Sequence, residues 1–162
     1  MRYYQQLMDQ LKIKTLSKEI KLPSNIEAEQ ALIGSVLVNN DIIDEIANII
    51  SENEFYDPLH SKIYEFIEKL HNKGMIANPI TLKNAFESNN SLSDVGGTEY
   101  LVKLTRFSSS VRQCIDYAKI IHEKFVKREL VKISENLSEE SMDETLEKTG
   151  DDIIQNTEKL LF

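Results

Sequence analysis

Three histidines, one cysteine and a crowded set of carboxylates are the side chains through which this chain could do chemistry. Glu68 and His71 stand at E-x-x-H spacing, which puts both on one face of a helix, as in di-iron bundles. That chemistry needs a second E-x-x-H and two more carboxylates on facing helices, and the sequence has no second copy. His60 and His71 share a helix face yet lie about 16 Å apart along the axis, so they cannot ligate one ion. Cys114 follows Arg112 and Gln113, with His122 two helical turns further on. Its apolar neighbours favour a buried, inert thiol over a nucleophile. The acidic run from 139 to 152 has the character of a solvated face rather than of a general acid–base pair. None of the glycines, at 34, 74, 96, 97 and 150, opens a G-x-x-x-x-G-K-[ST] phosphate loop. No catalytic, cofactor-binding or metal-ligating residue is therefore assigned in these residues.

The elements that would position such groups are all helices. Ser24 or Asn25 can cap a first helix running to Val38, with Glu27 and Glu29 favourable in its first turn and Ile26, Ile33, Val36 and Leu37 apolar. Isoleucines at 42, 43, 46, 49 and 50 predict a second helix over Asp41–Ile50. Pro58 suits the first turn of a third, which should stop at Gly74. Asn78 and Pro79 open a fourth, and Gly96-Gly97 a fifth that runs to about Arg106. Alternation of apolar and polar residues never persists, so the class is all-α. Residues 1–22 carry scattered basic and apolar positions (Leu7, Leu11, Ile13, Leu16). A mobile tail is expected there, with a partner-binding amphipathic helix as the alternative.

From Arg112 to about Glu140 there is no Gly or Pro, which allows one helix of about 40 Å. Val111, Ile115, Ala118, Ile121, Phe125, Val126, Leu130, Ile133 and Leu137 cover about half its circumference, more than the ~100° stripe that packing on one neighbour needs. A second arm places Met142, Leu146, Ile153 and Leu160 on a narrower seam. A break near Gly150 is favoured, with Asp143 and Asp151 both available as the start. A two-helix hairpin cannot cover that much apolar surface alone. Either it associates with a second copy or it folds back onto the preceding helices.

Bulk properties narrow the function further. At 162 residues the chain can bury roughly 68–70% of its unfolded surface as one domain. A formal charge of −8 and a pI near 5.0 argue against strong nucleic-acid binding, which needs clustered Lys and Arg. One cysteine forms no internal disulfide. The N-terminus lacks a signal-peptide core, and no apolar run reaches membrane-spanning length. A cytoplasmic protein is expected.

Six segments in register carry a family resemblance: Glu27-Ala28-Glu29-Gln30 with Leu32-Ile33-Gly34; Phe55-Tyr56 with His60, Ile63 and Tyr64; Thr81-Leu82; Val95-Gly96-Gly97 with Tyr100-Leu101; Tyr117-Ala118-Lys119-Ile120-Ile121; and Glu123-Lys124 with Arg128. From about Pro23 to Phe162 the chain resembles the N-terminal domain of bacterial replicative helicases of the DnaB type. Ile33 in place of Leu, Asn78-Pro79 before Thr-Leu, and Ser108-Ser109-Ser110 without a Pro are departures of packing and turn type.

The resemblance implies a compact helical head over 23–107 and an antiparallel helical hairpin over 108–162. Hairpins would pair subunits within a hexameric ring, and the resemblance decides for self-association over folding back. The interface candidates are Ile115, Ile121, Phe125, Leu130, Ile133, Leu137, Ile153 and Leu160. The resemblance further implies a non-catalytic collar that docks primase, with a helicase loader as a further partner. ATP, Mg²⁺ and single-stranded DNA would belong to a motor domain that these residues do not contain. His60 would be structural, bonded to a turn or a backbone group. The basic bias of Arg112, Lys119, Lys124, Lys127, Arg128 and Lys132 against an acidic second arm is expected to pair the two arms or two hairpins. A ring surface facing DNA is the alternative. The rival from another class is a free-standing helical adaptor that binds helicase or primase without a motor of its own. The apolar run ending at Phe162 leads us to expect further chain beyond it.

Overall fold

The computed structural model describes residues 2, 3, 5, 6, 21–88, 97–145 and 147–162. Most of the 1–22 tail, Asp94, Val95, Gly96 and Leu146 lie outside them. The described residues form helices and no strand: α1 (Ile26–Val38), α2 (Asp41–Ile46), a 3₁₀ turn (Glu52–Glu54), α3 (Pro58–Asn72), α4 (Pro79–Ser88), α5 (Gly97–Thr105), α6 (Val111–Met142) and α7 (Gly150–Leu161).

Local chemistry sets most of these boundaries. Asn25 is the cap of α1, its side-chain oxygen accepting from Ala28 N at 2.9 Å. Asp57 caps α3 ahead of Pro58, and Asn78 accepts from the N–H groups of Ile80 and Thr81 at 2.9 and 3.0 Å at the start of α4. α3 ends where Gly74 takes φ +71°, so that Met75 N can reach Leu70 O and Gly74 N can reach His71 O. That pair of bonds satisfies the last carbonyls, and the left-handed φ suits a residue without Cβ. α2 stops at Ile46, four residues short of the expected end. Ile49 N bonds Ile46 O at 2.8 Å, a tightened turn, and Ser51 then turns extended. Ile50 is buried all the same, so its side chain serves the core without the helix.

α1 is the central element, packed against α5 and α6, with Leu32, Ile33 and Val36 fully buried. Gly34 allows the closest approach: a Cβ there would stand 1.9 Å from the backbone oxygen of Leu104 in α5. The core does not close at residue 107. Cys114, Ala118 and Ile121, all on α6, belong to it, so the first half of α6 folds onto the head while the second half extends past it.

α7 starts at Gly150, not at Asp143 or Asp151. Thr149 caps it through a reciprocal box: Asp152 N donates to Thr149 Oγ1 at 3.2 Å and Thr149 N donates to Asp152 Oδ2 at 2.9 Å. The Thr149 hydroxyl also donates to Asp152, and these bonds hold its carboxyl below the usual range. Asp143 instead ends α6 and accepts from Thr145 N at 2.9 Å.

Gly34→Ala is expected to lower stability by about 2 kcal/mol, because the obstacle is backbone and overpacking cannot be relieved by a rotamer change. A urea midpoint unchanged from wild type would contradict the close packing of α1 on α5.

Candidate subunit-pairing surface and the polar contacts that aim it

Glu29, 1% exposed, lies in the first turn of α1 and faces inward. Its Oε1 accepts from Tyr56 N at 2.6 Å and its Oε2 from Asp57 N at 3.3 Å. His60 Nδ1 stands 2.7 Å from Oε2, and His60 Nε2 is 2.7 Å from the Tyr100 hydroxyl. An ionised carboxylate only accepts, so the imidazole presents its N–H at Nδ1. The expectation that His60 bonds a turn or backbone group is corrected: it bonds a carboxylate and a phenol. The turn N–H groups go to Glu29 instead. The Tyr100 ring is nearly parallel to the imidazole, 7° apart with centroids at 6.1 Å, and burial pushes its phenol up. This network ties α1, the segment before α3, α3 and α5 together, and none of its members is an aimed nucleophile.

The other candidate groups separate. Cys114 is buried on α6 and its thiol is pushed up by burial. His122 turns away to Glu54, Nδ1 to Oε1 at 2.5 Å. His71 pairs with Asp44 at 3.0 Å. Glu68 lies beside Glu52, and burial first, then the neighbouring carboxylate, pushes its titration up to about 7. Among the described residues no three His, Cys, Asp or Glu side chains converge as metal ligands.

α6 carries most of the candidate pairing residues. Cys114, Ala118, Ile121, Phe125 and Arg128 recur at alternating steps of four and three, the seam of a helix lying along a neighbour. The expectation that Arg128 takes part in charge pairing between arms or hairpins is corrected: it is 7% exposed. Its Nη1 donates to Pro23 O at 2.8 Å and its Nη2 to Glu54 O at 2.7 Å. The guanidinium also faces the rings of Tyr56 at 5.3 Å and Phe125 at 5.9 Å. The signal in the sequence was position: Arg128 continues the apolar seam.

Of the eight interface candidates, Ile121 is taken by the head core, 2% exposed, because the seam turns it toward α1. Ile115, Phe125, Ile133 and Ile153 are half-buried, and Leu130, Leu137 and Leu160 are exposed. Val126, Met142, Ile154, Leu161 and Phe162 add exposed apolar surface outside that set. Among the described residues, Lys148 in the connection between α6 and α7 pairs with Glu140 of α6 at 2.8 Å. Lys127 and Lys132 pair within α6, with Glu123 and Glu129. No described helix is long and apolar enough to cross a membrane.

A helical head whose last long helix runs on into a hairpin with exposed apolar side chains defines an all-helical domain. The sequence profile of the DnaB-like helicase N terminal domain matches residues 21–123, and the chain belongs to that family. It is 37% identical over 141 residues to the replicative DNA helicase DnaB of Rickettsia felis, covering 87% of this chain and 28% of that protein. With the DnaB of Pasteurella multocida identity is 29% over 153 residues, covering 94% and 32%. The chain thus spans little more than a quarter of the curated relatives' length. The fold is similar to the crystal structure of the N-terminal domain of DnaB helicase from Mycobacterium tuberculosis (TM-score 0.81, 23% identity, covering 87% of this chain and 98% of that one). It is also similar to a DnaB-like replicative helicase whose interactions with primase were solved (TM-score 0.67, 25% identity, covering 85% and 31%).

Two stability predictions follow from this geometry. Glu29→Gln replaces one accepting oxygen with an amide donor facing N–H groups, so about 2 kcal/mol should be lost. His60→Ala, which strips the buried carboxylate of its side-chain partner, should lose about 3 kcal/mol. Chemical denaturation with retained far-UV helicity checks both. Because Glu68 titrates near 7 in the fold rather than at its ordinary 4.5, the folded state holds the extra proton between those values. Its contribution is present below pH 4.5 and declines as pH rises through 7. Glu68→Gln should flatten that part of the stability–pH curve, and an unchanged slope would contradict the assignment.

Proposed function

We propose that this chain is the N-terminal collar of an ATP-dependent replicative DNA helicase. In it the distal hairpin pairs subunits, the pairs close a hexameric ring, and the collar docks primase. The observation that carries the pairing is the second half of α6 together with α7. Past Arg128 no described residue is buried, while Leu130 is 46% exposed and apolar side chains continue to Phe162. Family membership supports the collar role, and the relative solved with its interactions with primase supports primase as a partner.

The rest of the parent would supply the motor. ATP, Mg²⁺ and the grip on single-stranded DNA belong there, in the cytoplasm, while a helicase loader is a further partner of the collar. In this reading these 162 residues take no part in the chemistry. Their work is geometric, ordering subunits around the strand.

Leu130→Asp and Ile133→Asp are expected to weaken self-association about 30-fold or more, the scale of a buried interface anchor. Helicity and head stability should stay at wild-type levels. Sedimentation velocity across a concentration series reads the first, and circular dichroism the second. Unchanged oligomer size in still-helical variants overturns the pairing surface.

A further inference from the structure

We propose that Arg128 is a positioning residue that fixes the direction in which the hairpin leaves the head. It is the last residue of α6 buried against the head. Its two hydrogen bonds end on backbone carbonyls from separate places in the chain, Pro23 ahead of α1 and Glu54 in the 3₁₀ turn. Carbonyls fixed in this way hold the planar fork in one orientation, and the Tyr56 ring closes over it at 5.3 Å.

The segment that receives the fork is itself immobilised. Tyr56 N and Asp57 N donate to the buried Glu29. Glu54 is held from the other side by His122 of α6. A rotation of α6 about its head contacts therefore strains groups tied to the centre of the head. Upstream, Cys114, Ala118 and Ile121 present small or aliphatic surfaces, which resist separation but allow sliding and tilt. Of the two directional contacts, His122 to the Glu54 carboxylate and Arg128 to two carbonyls, Arg128 lies nearer the distal half and spans two separate segments of the head.

The lever beyond it is long. From Arg128 to Met142 α6 extends about 21 Å, so a tilt of about 10° displaces the tip by about 4 Å. That is enough to take paired apolar side chains out of register, since packed surfaces tolerate mismatches of well under one side chain. The consequence for assembly rests on the pairing of hairpins proposed above. The effect on hairpin direction does not.

The test places spin labels at Asn48→Cys on the head and Glu135→Cys on α6, both exposed positions. Cys114 is left in place because it is buried. Labelled chain diluted in unlabelled chain reports the distance within one protomer. Wild type should give one narrow distribution. Arg128→Met, which keeps the stem and removes the fork, should broaden or shift it with helicity retained, and Arg128→Lys should recover part of the narrowness. If Arg128→Met leaves the chain unfolded, Arg128→Lys against wild type decides by the same criterion. A folded variant with the wild-type distribution overturns the proposal. Self-association, measured in parallel, should weaken about tenfold in Arg128→Met. A broadened distance with unchanged self-association would support Arg128 as the positioning residue and count against hairpin pairing.

Discussion

The rest of the structure depends on a carboxylate buried where none would ordinarily lie. Removing Glu29 from water costs several kcal/mol, and the fold offsets that cost by bringing three N–H groups to it: Tyr56, Asp57 and His60. Those donors come from one short stretch, so one side chain on α1 sets where the chain turns into α3. Tyr100 extends the constraint to α5 through the far nitrogen of the same imidazole. A hydrophobic contact would tolerate several registers at similar energy, whereas hydrogen bonds of 2.6 and 2.7 Å accept one. The value of the network lies in specifying arrangement more than in net stability, which fits the general behaviour of buried polar groups that fix register.

That constraint reaches the surface through residues 51–57. The same segment meets Glu29 on its inner side and α6 on its outer side, where Arg128 takes the Glu54 carbonyl and His122 takes the Glu54 carboxylate. α6 thus has two halves with different partners, and no Gly or Pro between them. The proximal half completes the head core with Cys114, Ala118 and Ile121. Among the described residues, the distal half of α6 has no buried side chain past Arg128. One helix thus packs on the head along its first half and extends past it along its second.

Where a boundary is written in local chemistry, part of it was legible. Asn78 and Gly74 were read at helix ends, and Asn25 as one of two candidates, because those needs are short-range; Asp57 and Thr149 meet the same need and were not read. What could not be read was set by distant partners. The end of α2 depends on a tightened turn whose side chains still enter the core, so periodicity ran on past the helix. Arg128 looked like one of several cations because charge pattern alone cannot say which of them faces a pair of carbonyls more than seventy residues away in sequence. Ile121 and Leu130 are equally apolar on a helical wheel, and only the position of α1 tells which is spent inside the chain. His60 was legible as structural, but its carboxylate partner was hidden because Glu29 also satisfies the preferences of a first helical turn.

The second arm carries the argument one step further. α7 has twelve residues, none of them buried. An isolated helix of that length is marginal in water even with good caps. The Thr149–Asp152 box and half-burial of Ile153 and Thr157 against α6 provide part of what it needs. The exposed Ile154, Leu160, Leu161 and Phe162 provide none while they face solvent. On the proposed pairing, the surface that joins two subunits and the surface that keeps α7 helical are the same surface. Folding of the arm and association of the collar then draw on one free energy, and the order of the hairpin becomes a property of the assembly rather than of the single chain. The head, with its own buried network, does not share that dependence, which is why substitutions on the distal arm can act on assembly while leaving the head folded.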